Sequence, residues 1–398
     1  MWKTAEGSTG RLIQLCLAYF ALYTVFGVLT KYFTGSKAVI LPAMSNMDFL
    51  IWSTVGGSAM CLAVLFFTGW HLADATRSLK VGPLRVPPEF AYIIPSGIFT
   101  AIIIPTTTLL YMLLKSVMVA MVVMRASVIV ISRIVDAVQI KQKILNRTVY
   151  WEENVAVLFA LAAASTQILL GDGSGGSDLL SNALAMGVLI SYIIAYGFRI
   201  YVMNYYKNTR PKGATLDNRW FFGIEQITAT AAMIALATGF FVWASQDGAT
   251  LAYATAVKAG EMAQAAAILA EQPLVAFHSA VANPHTNYIP AIWAGAVFGG
   301  VAFFSVFIFM FKGRTATFAT LVNRLTSLVA GTAATLLAFL LLGTRFPSLS
   351  DWVSLGLIFV AVGFLTMAEK RRAAELAKAQ EIEAIVPAAD APAAVEAK

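Results

Sequence analysis

Three ionisable side chains sit inside one long apolar run. Residues 116–140 read SVMVAMVVMRASVIVISRIVDAVQI, long enough to cross a bilayer as a helix, and they carry Arg125, Arg133 and Asp136. A charge near a helix centre costs about 2.5 to 3.5 kcal/mol on insertion scales, so three nearly cancel the gain from the surrounding Val, Ile and Met. Such groups must face protein or water. At about 100° per residue, Arg125 and Asp136 fall within about 20° of each other and Arg133 lies about 80° from Arg125, so one side of this helix is charged. Arg324 lies at a matching depth in a second run, each arginine about nine residues or 13 Å into its span. Two guanidinium groups there suit a phosphate or carboxylate, because the planar fork matches such oxyanions and stays protonated when desolvated. The competing reading satisfies each arginine with backbone carbonyls or an acid, or places it nearer an interface.

The remaining candidates are few. Arg133 and Asp136, three apart on one helix, are expected to form a local ion pair. Glu225 reads either as a proton-coupling carboxylate or as the counter-ion of Arg199. Three deep arginines against two acids leave a positive surplus, for which an anionic ligand is the simplest neutraliser. Tyr23, Tyr111, Tyr192 and Tyr196 are candidates to stack on a sugar or base, although aromatic residues in such runs more often serve packing or the interface. Met118, Met121 and Met124 form a stripe beside Arg125 that reads first as packing. No nucleophile with a base appears, so an enzyme is not expected. His71, His278 and His285 stand apart from cysteine or acidic clusters, so neither metal nor other cofactor is expected.

These side chains need helices to hold them in place. The 398 residues are 59% hydrophobic and 12% charged, with a mean hydropathy of +0.74, which indicates an all-α integral membrane protein. Ten spans are expected: 11–33, 49–70, 90–113, 117–139, 153–170, 179–203, 219–245, 288–311, 316–341 and 350–368. The first is read as a retained helix, lacking the short core and small-residue cleavage site of a signal peptide. The formal charge of +7 points to orientation rather than nucleic acid, since Lys and Arg concentrate in alternate connections. That asymmetry puts both termini in the cytoplasm, and the Asn146 sequon on the same side. Cys16 and Cys61 lie in apolar runs and form no disulfide framework. GDGSGGS at 171–177 is a turn between halves, lacking the Lys-Ser/Thr ending of a phosphate loop. The connection 246–287 should hold one surface helix ended by Pro273, and 369–398 a polar helix with a disordered tail from Pro387.

Self-similarity divides the chain into repeats at 1–173 and 174–368. YIIPSGIFTAI aligns with YIPAIWAGAVF (Pro95 on Pro290), MRAS with NRLT (Arg125 on Arg324) and EENVAVLFALAAA with SDWVSLGLIFVAV (Val155 on Val353), at offsets of 195, 199 and 198. Five spans per half would insert the halves in opposite senses, an inverted repeat with a site at its interface. Pro95, Pro105 and Pro290 would allow bending, and Gly56, Gly57, Gly299 and Gly300 close helix approach.

With ten spans, this repeat and the closing stretch NRLTSLVAGTAATLLAFLLLGTRFPSLSDWVSLGLIFVAVGFL (323–365), the sequence resembles the drug/metabolite transporter superfamily, particularly its nucleotide-sugar branch. Arg324, Thr326, Ser327, Gly331, Gly343, Pro347, Gly356 and Gly363 match that element, and 119–145 resembles the span-four signature. The long connection after span seven is similar to that of chloroquine-resistance-type transporters, without the cysteines common there, and the Arg133 and Asp136 positions depart from the family. The resemblance implies a central cavity lined by spans one to four and six to nine. It also brings in Lys31, similar to a lysine at that place in the triose-phosphate and nucleotide-sugar branches, with Arg199 as its counterpart in span six; snorkelling to the interface explains both as well.

The expected function is secondary active transport of an anionic organic solute, a nucleotide-sugar or phosphorylated metabolite. A proton-coupled exporter of amino acids, cations or drugs and a non-transporting membrane scaffold are the alternatives. Expected partners are membrane lipid and the small anionic substrate, with homodimer formation open and nucleic acid excluded. The expected membrane is a bacterial inner membrane, an organelle membrane being the other reading.

Overall fold

The computed structural model of the chain describes residues 8–35, 43–70, 79–81, 84–113, 117–145, 149–169, 182–209, 218–344, 346–347 and 349–385. The 171–177 turn, the Asn146 sequon, His71 and the tail from Pro387 lie outside the described residues, as do the side chains of Tyr111, Met118 and Met121. Among the described residues there are thirteen helices: α1 (Thr9–Thr34), α2 (Asn46–Thr68), α3 (Phe90–Leu113), α4 (Val117–Lys141), α5 (Trp151–Leu169), α6 (Ala183–Asn208), α7 (Asn218–Gln246), α8 (Gly248–Ala259), α9 (Met262–Glu271), α10 (Pro273–Ala282), α11 (Tyr288–Phe309), α12 (Ala316–Leu342) and α13 (Leu349–Ile385). Between α2 and α3 a short antiparallel hairpin pairs β1 (Leu79–Val81) with β2 (Leu84–Val86), Lys80 opposite Arg85.

Eight of these helices are long and apolar enough to cross a membrane: α1, α2, α6, α7, α11 and α12 over their full lengths, α3 over Phe90–Thr107 and α13 over Trp352–Glu375. Large apolar side chains cover the outside, Phe67 being 92% and Trp293 73% exposed. Large apolar side chains such as Tyr206, Phe221 and Phe222 also fill the interior, together with buried polar groups such as Asp136, Glu153 and Glu225. Helices of this length with an apolar exterior make the chain a multi-pass integral membrane protein. The helices α4 and α5 complete the bundle, although the first carries three charges before its end and the second opens on Glu152 and Glu153.

Local chemistry sets the helix ends. Ser45 caps α2 by accepting the Asp48 amide at 3.0 Å, and Thr315 caps α12 by accepting that of Phe318 at 3.1 Å. Gly343 closes α12 at φ +61, a backbone conformation open to glycine without strain. The connection 246–287 differs from expectation in holding three helices. Gly260, at φ +77, ends α8, and Pro273 begins α10, because its fixed φ and missing donor suit the first helical position. A sharp bend of 115° separates α9 from α10, and α10 stacks His278 on Phe241 of α7 at 4.7 Å.

Packing follows a definite pattern. The pair α2 and α11 meets in close contact, α5 packs along α13, α3 along α6 and α7, α1 along α11 and α12, and α4 along α5, α6 and α12. Alanines 156, 160 and 163, one side of α5, let Ile358, Ala361 and Leu365 of α13 approach, and Ser354 donates to the Ala163 carbonyl at 2.9 Å. Between α2 and α11 the contact is backbone on backbone: a methyl at Gly295 would lie 2.0 Å from the Ser53 carbonyl oxygen, and one at Gly56 1.8 Å from that of Ile292. Neither neighbour can yield without moving a helix.

Gly295→Ala is therefore expected to lower stability by about 2 kcal/mol or more, the upper range of core overpacking. Gly187→Ala on the open side of α6, where a methyl meets nothing within 4 Å, should leave it unchanged or slightly raised. Thermal unfolding of both variants in the same detergent checks the contrast.

Candidate functional site

Two tyrosine pairs frame the half-buried arginines Arg125 and Arg324. On α1, Tyr19 and Tyr23 are one turn apart with ring centroids at 5.6 Å; on α6, Tyr192 and Tyr196 repeat the spacing at 4.8 Å. Arg125 of α4 donates through its NH2 to the Tyr23 hydroxyl at 3.4 Å. Arg324 of α12 lies over the Tyr196 ring, 5.1 Å from its centroid, as a cation–π contact. Tyr19, only 3% exposed, is within electrostatic reach of both arginines and of Tyr196. One cluster, with Tyr19 and Tyr192 buried and the other members half-buried, thus joins α1, α4, α6 and α12.

The charges in this cluster are unevenly balanced. Arg199, one turn beyond Tyr196 on α6, reaches the two Glu225 carboxylate oxygens with Nε at 3.0 Å and NH2 at 3.1 Å. Hydroxyls of Ser96 at 2.8 Å and Thr100 at 3.2 Å donate to the same carboxylate, which is 2% exposed. Of the two readings of Glu225, this geometry is the counter-ion. Arg324 has no such partner. Its Nε and NH2, the same edge that Arg199 turns to Glu225, are buried without a hydrogen bond. Among the described residues no carboxylate forms an ion pair with Arg125 or Arg324. An unpaired guanidinium edge out of water is costly and is matched in shape by a planar or tetrahedral oxyanion.

The expected Arg133–Asp136 pair is not made. Arg133 turns to the α5 side and donates through Nε to the Asn154 side-chain oxygen at 3.0 Å. Asp136 is fully buried and turns to α12, its two oxygens accepting the amides of Ala316 at 2.8 Å and Thr317 at 2.6 Å. Those amides belong to the first turn, where no carbonyl of the helix can accept them and the helix dipole favours a negative charge. A neighbouring helix end outcompetes a side chain three residues away.

Around this cap the same end of the bundle is tied by buried polar groups. The Thr315 hydroxyl donates to Glu153 at 2.9 Å, and Glu153 also binds Arg372. Glu369 binds Arg314 and accepts from the Thr9 hydroxyl at 2.8 Å. Lys207 donates to the Arg314 carbonyl at 2.7 Å, and Asn204 bridges Gln139 and Asp136 at 2.7 and 3.4 Å. Five helices, α1, α4, α5, α6 and α13, converge on the start of α12.

Lys31 stands apart from the arginines. Eight residues beyond Tyr23, about 12 Å along α1, it donates to the Thr335 hydroxyl at 3.1 Å. The structure thus groups Arg125, Arg324, Tyr196, Arg199 and Glu225, and places Lys31, Arg133 and Asp136 elsewhere. Sequence reasoning missed Tyr19, Ser96 and Thr100. The shared YxxxY spacing of 19–23 and 192–196 was a readable signal for the first; nothing local marks the two hydroxyls.

No family model matches the sequence, and no curated protein matches it. A solved structure described as "Crystal structure of protein" is 15% identical with a TM-score of 0.49, over 89% of this chain and 99% of its own, a likeness too distant to bear on function.

Asp136→Ala should destabilise the protein by about 1–3 kcal/mol, the cost of leaving buried donors unsatisfied, whereas Arg133→Ala should cost under about 1 kcal/mol. A double-mutant cycle between the two positions is expected to give a coupling below about 0.5 kcal/mol. Unfolding midpoints of the four proteins supply all the terms; a coupling well above that would restore the local pair.

Proposed function

We propose that this chain is an alternating-access secondary transporter, of the drug/metabolite type, for an anionic organic solute, with a nucleotide-sugar or phosphorylated metabolite as the favoured class. The observation that carries this is the buried, unpartnered Nε and NH2 edge of Arg324 above Tyr196, with Arg125 at the Tyr23 hydroxyl and no carboxylate on either arginine among the described residues. An oxyanion seated between them would supply the missing acceptors, and the tyrosine rings offer faces to an attached sugar or base.

The packing supports reading the chain as an inverted five-plus-five repeat of ten spans. If α1 to α5 correspond to α6, α7, α11, α12 and α13, then α1–α11 maps onto α3–α6, α2–α11 onto α3–α7, α1–α12 onto α4–α6 and α4–α5 onto α12–α13. All of these pairs are in contact, and the α4–α12 and α5–α13 pairs map onto themselves. The site obeys the same relation, Arg125 on the α1 tyrosines and Arg324 on those of α6. The tyrosines set Arg199 against Phe26 rather than Lys31, so the Arg199–Glu225 pair belongs to one half only.

Rocking one half against the other about this site is the expected motion. At the Asp136 end, which the positive-inside asymmetry makes cytoplasmic, the first turn of α12 is clasped by α4 and α5. Opening that end requires Asp136 to release the two amides. Arg324 rides on the same helix, eight residues or about 12 Å further in, so ligand and clasp act on one element.

In proteoliposomes, Arg125→Ala and Arg324→Ala are expected each to reduce counterflow of a phosphorylated substrate at least about 100-fold, the scale of losing a charge-assisted contact of about 3 kcal/mol, while the melting temperature stays near that of the parent. Retained flux in both variants would remove the anion-site reading.

A further inference from the structure

Among the described residues, the Arg199–Glu225 ion pair is the charged feature beside the candidate site that anion binding itself does not use. It is close to that site. Arg199 and Tyr196 are three apart on α6, the ring of Tyr196 faces Arg324, and Arg199 lies within electrostatic reach of Arg324. Glu225, on α7, is held by four donors from two other helices: Nε and NH2 of Arg199 on α6, and the hydroxyls of Ser96 and Thr100 on α3.

The two arginines present the same edge to different fates. Arg199 spends its Nε and NH2 on a protein carboxylate, while Arg324 keeps them unpartnered. A bound oxyanion on Arg324 would repeat what Glu225 does for Arg199. The number of negative charges the site can accept then depends on how many arginines the protein neutralises itself. Among the described residues the cluster holds Arg125, Arg199 and Arg324 against Glu225, a net charge of +2. In a desolvated site that total weighs heavily, because a ligand with one charge too few leaves a guanidinium uncompensated and one with a charge too many buries an unpaired anion.

We infer that Glu225 is a specificity-determining residue: by occupying Arg199 it sets the site to select organic dianions over trianions and monoanions. This rests on the anion-site reading above and adds to it a role for a residue that need not touch the ligand. Glu225→Gln would keep the side chain's shape but free the Arg199 fork, raising the net charge to +3. Arg199→Gln would lower it to +1, with Ser96 and Thr100 still on the carboxylate. The double variant Arg199→Gln/Glu225→Gln would restore +2 with an amide pair in place of the ion pair. A role confined to packing would not move selectivity in opposite directions in the two single variants and return it in the double.

The experiment is equilibrium binding to the purified full-length protein in lipid nanodiscs. The probes are benzoate, phenyl phosphate and 4-carboxyphenyl phosphate, a mono-, di- and trianion on one aromatic ring, at a pH where each is fully ionised. The parent is expected to bind phenyl phosphate tightest. In Glu225→Gln the ratio of trianion to dianion affinity should rise about 10-fold or more, the scale of one added charge several ångströms away in a partly desolvated site. In Arg199→Gln the ratio of monoanion to dianion affinity should rise similarly, and the double variant should return to the parent order. Unchanged ratios in both single variants, in proteins that melt as the parent does, would overturn the inference while phenyl phosphate binding that depends on Arg324 keeps the anion site. A double variant that keeps the Glu225→Gln order would overturn it as well. If Glu225→Gln fails to fold, Arg199→Gln and the double variant decide the question between them. Failure of the parent to bind any of the three would overturn both the inference and the site.

Discussion

A buried carboxylate under the first turn of a neighbouring helix fixes this structure. Asp136 takes the amides of Ala316 and Thr317, two donors that α12 cannot satisfy internally. In a lipid setting, where an unmet backbone group costs several kcal/mol, this contact decides where α12 starts and how deep it sits relative to α4. Both arginines of the candidate site depend on that register. Arg125 lies eleven residues before Asp136 on α4, about 16 Å away, and Arg324 about 12 Å into α12. One contact at the end of the bundle therefore sets the relative height of the two guanidinium groups in its middle.

Around that register the charges divide into two kinds. Near the α12 start, acids and bases are matched: Glu153 with Arg372, Glu369 with Arg314, and Asp136 with helix amides. Arg199 and Glu225 are matched in the same way beside the tyrosines. Arg125 and Arg324 are not matched by any carboxylate among the described residues, although Arg324 is enclosed between α12 and the Tyr196 ring. Among the described residues Arg125 and Arg324 stand without the carboxylate that Arg199, Arg314 and Arg372 each have, and the proposed solute would supply one.

Much of this was legible in the sequence. Hydrophobic length picked out, among its ten expected spans, the eight helices that are long and apolar enough to cross a membrane, because hydrocarbon thickness imposes it directly. Depth within a span is what drew attention to Arg125 and Arg324, and the shared end of spans six and seven made the Arg199 counter-ion one of two readings for Glu225, the one whose contact the geometry shows. Asp136 was misread because helical spacing brings Arg133 within reach, whereas its real partners are 180 and 181 residues away and are backbone groups, which leave no mark in composition. Pro273 reads in sequence as a helix end yet opens a helix, the residue being compatible with both roles until the bend before it is known. Ser96 and Thr100 could not have been found: one turn of α3 faces Glu225 only because Gly97 lets α7 approach, a methyl there lying 2.8 Å from the Glu225 carbonyl oxygen.

The most direct test of the anion site is a structure of the protein determined with phenyl phosphate bound. The phosphoryl group is expected on the Nε and NH2 edge of Arg324, two oxygens at about 2.8 Å, with the phenyl ring against the tyrosines and Arg125 on the far side. Phosphate bound elsewhere, with a side-chain carboxylate occupying that edge of Arg324, would contradict it.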